Sequence, residues 1–484
     1  MIKRRYILLI LTLLISGCAV NPATGKRDFV LMSENEELAL GRQYSQQVMK
    51  EYRAYDNAVL QQYVQSVGDR VARESHRKNL FYRFTLLDST QVNAFALPGG
   101  YIYITRGLLV YLNSEAELAA VLGHELGHVT ARHSVRQHGL STATNVLGSI
   151  LATTSGVQGV GQLTNLLSTG IVRGYGREHE LEADGLGVDY LMKAGYPTSA
   201  MKKVITTLKN QELFDKKLAK EQGREPRAYH GVFSTHPKND TRLQQVLTRT
   251  GGQLKSTFDA DKQDVRFLKH LVGLTFGDSE KDGITRGNNF YHPDLNFKVK
   301  FPEGWLISNS SKAVAAASPG NKAFMQLVLQ DLNQKMTPKQ FLKARLGISG
   351  VISEAPLLIG PFSGHTVVVN GKTPYGQRKM RISVLYDGPR AFIFFAAAKQ
   401  SNSFVAFDAQ FLASLNSFSR LSRQDRKNST ELTLQLTKVK RGMALRELAK
   451  ASPIAHHAED QLRLLNDLFP TGEAKSGDLM KIVR

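Results

Sequence analysis

The 484-residue chain holds one cysteine and one tryptophan. A lone cysteine cannot close an intrachain disulfide. Disulfide-stapled scaffolds are therefore excluded, as are zinc ribbons and clusters built on cysteine. Acids are also scarce: 42 Asp+Glu stand against 63 Lys+Arg, a formal charge of +21. Such an excess ordinarily points to nucleic acid or an anionic membrane surface. With 42% hydrophobic and 22% charged residues, the composition is that of a globular protein rather than a disordered or coiled-coil one. The length allows roughly three domains of about 150 residues.

The cysteine is Cys18. Lys3, Arg4 and Arg5 precede an uncharged apolar run from Ile7 to Ile15. These are the n-region and h-region of a signal peptide, and the run is too short to span a bilayer. The junction Ile15-Ser16-Gly17-Cys18 resembles the lipobox of bacterial lipoproteins. That resemblance implies cleavage before Cys18 and lipidation of its sulfur and new amine. Several acyl chains meet the requirement for stable membrane attachment. Removal of residues 1–17 would leave 467 residues and a charge of +18. Residue 19 is Ala rather than Asp, which by resemblance to enterobacterial sorting favours the periplasmic face of the outer membrane. Export to that compartment argues against nucleic acid as the partner. Residues 18–32 carry Pro and Gly without periodicity and read as a tether.

Residues 33 to 77 follow a helical pattern, opened by Ser33 with Glu34, Glu36 and Glu37 in the first turn. Phe81 to Leu87 and Tyr101 to Thr105 read as strands, the second preceded by Pro98-Gly99-Gly100. Ser114 caps a helix through the 120s. From Gly139 to Val172 no residue is charged. The segment is too rich in Gly and polar residues for a membrane span, and a buried or cavity-lining helical hairpin fits it better. A helix from about Glu178 to Ala194 ends at Gly195-Tyr196-Pro197.

Residues 124 to 128 read His-Glu-Leu-Gly-His. On a helix His124 and His128 share one face, so both imidazoles can reach one zinc ion. Glu125, one step on, is placed for a general base in metal-assisted hydrolysis. The motif sits among Ala119, Ala120, Val121 and Leu122, where two unpaired histidines and a Glu would be costly to bury. Hydrolytic zinc needs a third protein ligand. A metzincin would need Gly at 131 and His at 134, but this chain has Ala131 and Ser134. His133 is five residues beyond His128 and falls off the ligand face; His138 is placed less favourably still. The first acids after His128 are Glu178, Glu180, Glu182 and Asp184, and spacing does not choose among them.

The run His124 to His133, then Glu180-Leu181-Glu182-Ala183-Asp184, then Ser234-Thr235-His236-Pro237 resembles the zinc metallopeptidase family that holds HtpX, BepA and the CAAX prenyl endopeptidases. Asn93 to Gly100 (NAFALPGG) is similar to that family's segment before its edge strand. The resemblance covers about residues 30 to 250. It implies Glu180 as the third zinc ligand and Asp184 as a hydrogen-bond acceptor behind a ligating histidine. It places His236 on a loop over the metal, either filling the open position or stabilising the oxyanion. It leaves Tyr101–Thr105 as an edge strand that pairs with extended substrate, or as an internal strand.

The expected fold is α+β. A mainly helical gluzincin-type peptidase domain with a small edge-strand sheet spans 33–255. An α+β domain of unassigned role spans 285–421, and a small βααβ module 432–484. Within the second domain, Phe297–Phe301, Phe324–Leu332, Thr366–Asn370, Met380–Tyr386 and Ala391–Ala398 read as strands, with Trp305 in the core. Thr337–Leu346 and Phe404–Leu421 read as helices, and 422–430 as a polar linker. Residues 432–484 resemble a LysM module, with Gly442-Met443-Ala444-Leu445 in place of the usual Gly-Asp-Thr-Leu and a longer inter-helix region. The expected function is a lipid-anchored periplasmic zinc endopeptidase, with one zinc ion per chain, acting on misfolded or unassembled envelope proteins. The competing reading is a non-proteolytic lipoprotein that binds clients or peptidoglycan.

Overall fold

The computed structural model describes residues 18–25, 27–29, 32–137, 176–222, 226 and 263–484. The leader 1–17, the uncharged stretch 139–172, and Ser234 to Pro237 with His236 lie outside the described residues. Helix and sheet are mixed. The chain divides into two compact units: Met1–Asp215 with Arg227–Leu274 and Leu434–Arg484, and Lys216–Pro226 with Thr275–Thr433.

The first unit opens with a hairpin, β1 (Cys18–Val20) and β2 (Arg27–Phe29), paired antiparallel. Residues 18–25 and 27–29 of the expected tether thus form structure. Asn21 explains the docking: it is buried, and its side-chain amide donates to the Ala131 carbonyl (3.4 Å) and to Asp28 Oδ2 (2.8 Å). The helical pattern of 33–77 resolves into α1 (Glu34–Glu51) and α2 (Ala58–Ala72). Ser33 and Glu36 form a capping box on α1, and Asn57 restarts the chain as the cap of α2.

A three-stranded sheet follows, with β3 (Arg83–Leu87), β4 (Ala94–Leu97) and β5 (Tyr101–Thr105) in the order β3-β5-β4. Strand β5 is therefore internal, parallel to β3 and antiparallel to β4, and β4 holds an edge. The turn into β5 uses Gly99 and Gly100 at φ of 74° and 93°, a conformation glycine adopts at little cost. After the single turn α3 (Arg106–Leu109) comes α4 (Glu115–Thr130), capped by Ser114 and buried from Ala116 to Thr130.

Helix α4 packs on α5 (Arg177–Lys193) along a seam of small residues. A Cβ at Gly127 would stand 2.9 Å from the Ala183 carbonyl oxygen, and one at Gly187 would stand 3.1 Å from the His124 amide nitrogen. Interior glycine costs a helix about 1 kcal/mol relative to alanine. Here that cost permits backbone-to-backbone approach. The unit continues with α6 (Ser199–Glu221) as far as Asp215 and with α7 (Val265–His270).

The second unit carries β6 (Thr275–Phe276), a small antiparallel sheet of β7 (Ile284–Arg286), β8 (Asn289–His292) and β9 (Phe297–Lys300), and a seven-stranded antiparallel sheet. The large sheet comprises β10 (Leu306–Asn309), β11 (Ala313–Ala317), β12 (Ala323–Asp331), β13 (Val351–Ile359), β14 (Phe362–Thr373), β15 (Gly376–Asp387) and β16 (Arg390–Ala398), ordered β10-β11-β12-β16-β15-β14-β13. Helix α8 (Phe404–Asn416) contributes Phe404, Phe411 and Leu415 to the core that also holds Trp305. The expected linker at 422–430 is instead a helix, α9 (Arg423–Asn428), capped by Ser422 and anchored where Lys298 Nζ donates to the buried Asp425 (2.8 Å).

The last elements are β17 (Leu432–Lys438), α10 (Leu445–Lys450), α11 (Ala458–Leu465) and β18 (Leu479–Val483), in the expected strand–helix–helix–strand order. Leu434–Arg484 folds into the same compact unit as α4. Its anchor is Lys481, wholly buried, whose Nζ donates to the carbonyls of Val110 (2.7 Å) and Leu112 (2.8 Å). Burial pulls this ammonium down to about 7, against the opposing pull of Glu117 and Asp467.

Two outcomes follow. Alanine at Gly127 gains about 1 kcal/mol of helix propensity but forces the seam apart, and overpacking costs about 1–3 kcal/mol. Gly127→Ala should therefore be less stable by up to about 2 kcal/mol in denaturant unfolding, and a more stable variant would contradict the seam. Lys481→Met leaves two carbonyls without their donor and should cost about 2–4 kcal/mol. An unfolded lysine keeps its proton to about pH 10.4, so between pH 7 and 10 the unfolded chain binds the extra proton and stability rises with pH. The stability gap between wild type and Lys481→Met should widen from pH 7 to pH 9, and a constant gap would contradict the depressed amine.

Candidate metal centre

The seam brings His124 and His128 of α4 against Glu180 and Asp184 of α5, and all four are buried with Glu125. His124 Nδ1 lies 2.8 Å from Asp184 Oδ1. A carboxylate only accepts, so His124 carries its proton at Nδ1 and turns its Nε2 lone pair toward His128. The two Nε2 atoms are 3.1 Å apart. Glu180 completes the triangle, with Oε2 3.6 Å from His124 Nε2 and Oε1 3.5 Å from His128 Nε2.

His133 is off the ligand face, as its spacing from His128 implies, and stands outside the group that could close on one ion. It meets the outer nitrogen of His128 instead, with its Nδ1 2.7 Å from His128 Nδ1. Helix α4 ends at Thr130, and Arg132 then takes φ of 56°, turning the chain back. A left-handed residue other than glycine costs about 1–2 kcal/mol. Glu37 offsets this: buried on α1, it accepts from Arg132 Nε (2.8 Å) and from Arg77 Nη1 (2.7 Å).

On its far side His133 Nε2 is 3.0 Å from Glu182 Oε2, which also accepts from Arg136 Nη1 at 2.9 Å. Burial opposes ionisation of Glu182, but hydrogen bonds from His133 and Arg136 hold it down to about 2. Burial lowers His133 and keeps its ring neutral, and it draws His179, stacked on His133 at 4.3 Å, down to about 4. With the His133 proton on Nε2, its Nδ1 accepts from His128 Nδ1. His128 thereby presents an unprotonated Nε2, as His124 does.

These residues fit zinc. A tetrahedral ion with ligand bonds of about 2.0–2.1 Å sets its ligand atoms about 3.4 Å apart. The ligand atoms of His124, His128 and Glu180 all lie within 4.8 Å of one another. Two imidazole nitrogens and a carboxylate converging on one point are the donor set that zinc takes in hydrolytic sites. Spacing had left Glu178, Glu180, Glu182 and Asp184 undivided. The structure brings Glu180 to the ligand face and Asp184 to the outer nitrogen of His124. It assigns Glu182, which the sequence had singled out for nothing, to His133. Glu125 is buried one residue beyond His124, as its place on α4 requires.

The model of peptidase family M48 matches residues 58–250. The beta-barrel assembly-enhancing protease of Yersinia pestis is 30% identical over 269 residues, covering 54% of this chain and 53% of that protein. The mitochondrial metalloendopeptidase OMA1 of Schizosaccharomyces pombe is 29% identical over 231 residues, 46% of this chain and 64% of that protein. The metalloprotease YcaL of Escherichia coli is 30% identical over 164 residues, 33% of this chain and 59% of that protein. The chain spans about half the length of the beta-barrel assembly-enhancing proteases it matches. His124, Glu125, His128 and Glu180 all fall inside residues 58–250, the segment that is similar to peptidase family M48.

Proposed function

We propose that the protein is a zinc-dependent endopeptidase, lipid-anchored at Cys18 in the bacterial envelope, that cleaves unfolded or unassembled envelope proteins. The convergence of His124, His128 and Glu180 within one zinc ion's reach, beside Glu125, carries the reading. Zinc bound there would polarise the scissile carbonyl and acidify water. Glu125 takes the attacking water's proton and returns it to the leaving amine. Asp184 and His133 hold the two imidazoles in the tautomer that leaves Nε2 to the metal. Strand β4, at the sheet's edge, offers its backbone to extended substrate, a sequence-tolerant mode suited to unfolded chains. The signal-like leader and Cys18 support the envelope location, and among the described residues no helix is long and apolar enough to cross a membrane. The relatives named beta-barrel assembly-enhancing proteases support β-barrel proteins as the substrate class.

Glu125→Gln should lower casein cleavage by about 10²–10⁴-fold while the protein keeps its zinc. Undiminished cleavage by the purified variant would remove Glu125 from the base role, and a zinc-loaded wild type that cuts nothing would favour the client-binding alternative. His236→Ala separates the two roles proposed for that residue. Increased cleavage marks His236 as an inhibitory occupant of the open position. Decreased cleavage with zinc retained marks an oxyanion role instead.

A further inference from the structure

The outer face of the metal centre continues as one chain of contacts to the N-terminal hairpin. His128 Nδ1 meets His133 Nδ1 at 2.7 Å, His133 Nε2 meets Glu182 Oε2 at 3.0 Å, and Arg136 Nη1 donates to the same oxygen at 2.9 Å. Arg136 Nε then reaches Asp28 Oδ2 at 3.2 Å, and Asp28 also accepts from Asn21 in the hairpin (2.8 Å). His133 is fully buried, so its polar atoms depend on these partners.

We propose that His133, Glu182, Arg136 and Asp28 form a positioning chain that fixes the tautomer and ring plane of His128, and that the N-terminal hairpin is thereby part of the metal site's support. This rests on the zinc reading above. The logic is one of donor count. Glu182 accepts and Arg136 donates, so the proton on His133 is held at Nε2 and its Nδ1 must accept. His128 then donates from Nδ1. If the acceptor at 133 is removed, His128 can carry its proton on either nitrogen, and one tautomer blocks the metal-binding Nε2. If Asp28 is removed, Arg136 loses one of its two anchors, and Glu182 is oriented less firmly. The consequence for the whole protein is that the segment following Cys18 is no passive leash. Its seating acts on His128 through four successive side-chain contacts, in a different part of the sequence.

The test uses the full-length protein and measures zinc affinity by competition with a chromophoric chelator, together with the visible spectrum of the cobalt-substituted form. Loss of an outer partner of a ligating histidine typically costs 10–100-fold in metal affinity. His133→Leu should weaken zinc binding by about that factor and shift the cobalt bands. His133→Asn, whose side-chain oxygen can accept near the position of Nδ1, should recover most of the affinity and the spectrum. Asp28→Ala, which leaves the buried ring untouched, should weaken zinc binding by a smaller factor, with no further loss when combined with Glu182→Gln. Equal affinity in wild type and a folded His133→Leu would overturn the proposal, as would equal losses in His133→Leu and His133→Asn. Independent, multiplying effects of Asp28→Ala and Glu182→Gln would remove the hairpin from the chain. If wild type itself binds no zinc, the metal reading fails first, and the experiment shows which has failed.

Discussion

The site depends on how closely two helices can approach. Helix α4 supplies both histidines and α5 both carboxylates. Glycine at 123 and 127 on one side, with Ala183 and Gly187 on the other, brings backbone against backbone. The four glycines of the two helices, Gly185 included, give up about 4 kcal/mol of helix propensity in total. Larger residues would regain that sum and separate Glu180 from His124. The composition of the seam is therefore set by the metal centre's dimensions rather than by the stability of either helix.

Around this contact the chain spends its few acids with care. Although bases outnumber acids overall, Asp184, Glu182 and Glu37 near the centre are paired, the first and last buried and Glu182 half-buried. Asp184 fixes one imidazole and Glu182 fixes the other through His133. Glu37 binds Arg77 and Arg132, and so holds the left-handed turn that returns His133 to the site. Breaking one partner of such a buried pair costs far more than a surface ion pair contributes.

Periodicity and capping exposed much of the fold. Ser114 with its acidic first turn, the Pro98-Gly99-Gly100 turn and the strands at 297–300 and 391–398 all left local signals. What escaped notice has specific physical reasons. Strand β13 lies on an edge, is mostly exposed, and carries Pro356, so no alternation marked it. Helix α9 had its Ser422 cap in plain view but a polar composition that read as linker. The hairpin at 18–29 is held by Asn21 reaching Ala131, a contact over a hundred residues long that no local pattern encodes. At the metal centre the two histidines and Glu125 followed from helical geometry, and Glu180 and Asp184 from the family likeness. The contact of His133 behind His128 left no signal in the sequence, because it depends on one backbone angle at Arg132.

The central claim is that two Nε2 atoms and one carboxylate oxygen hold a single zinc ion. X-ray absorption at the zinc edge of the purified protein measures this directly. The account predicts one zinc per chain in a four-coordinate shell of light atoms at about 2.0–2.1 Å, with the outer-ring scattering of two imidazoles. A six-coordinate shell, or one without imidazole scattering, would contradict it.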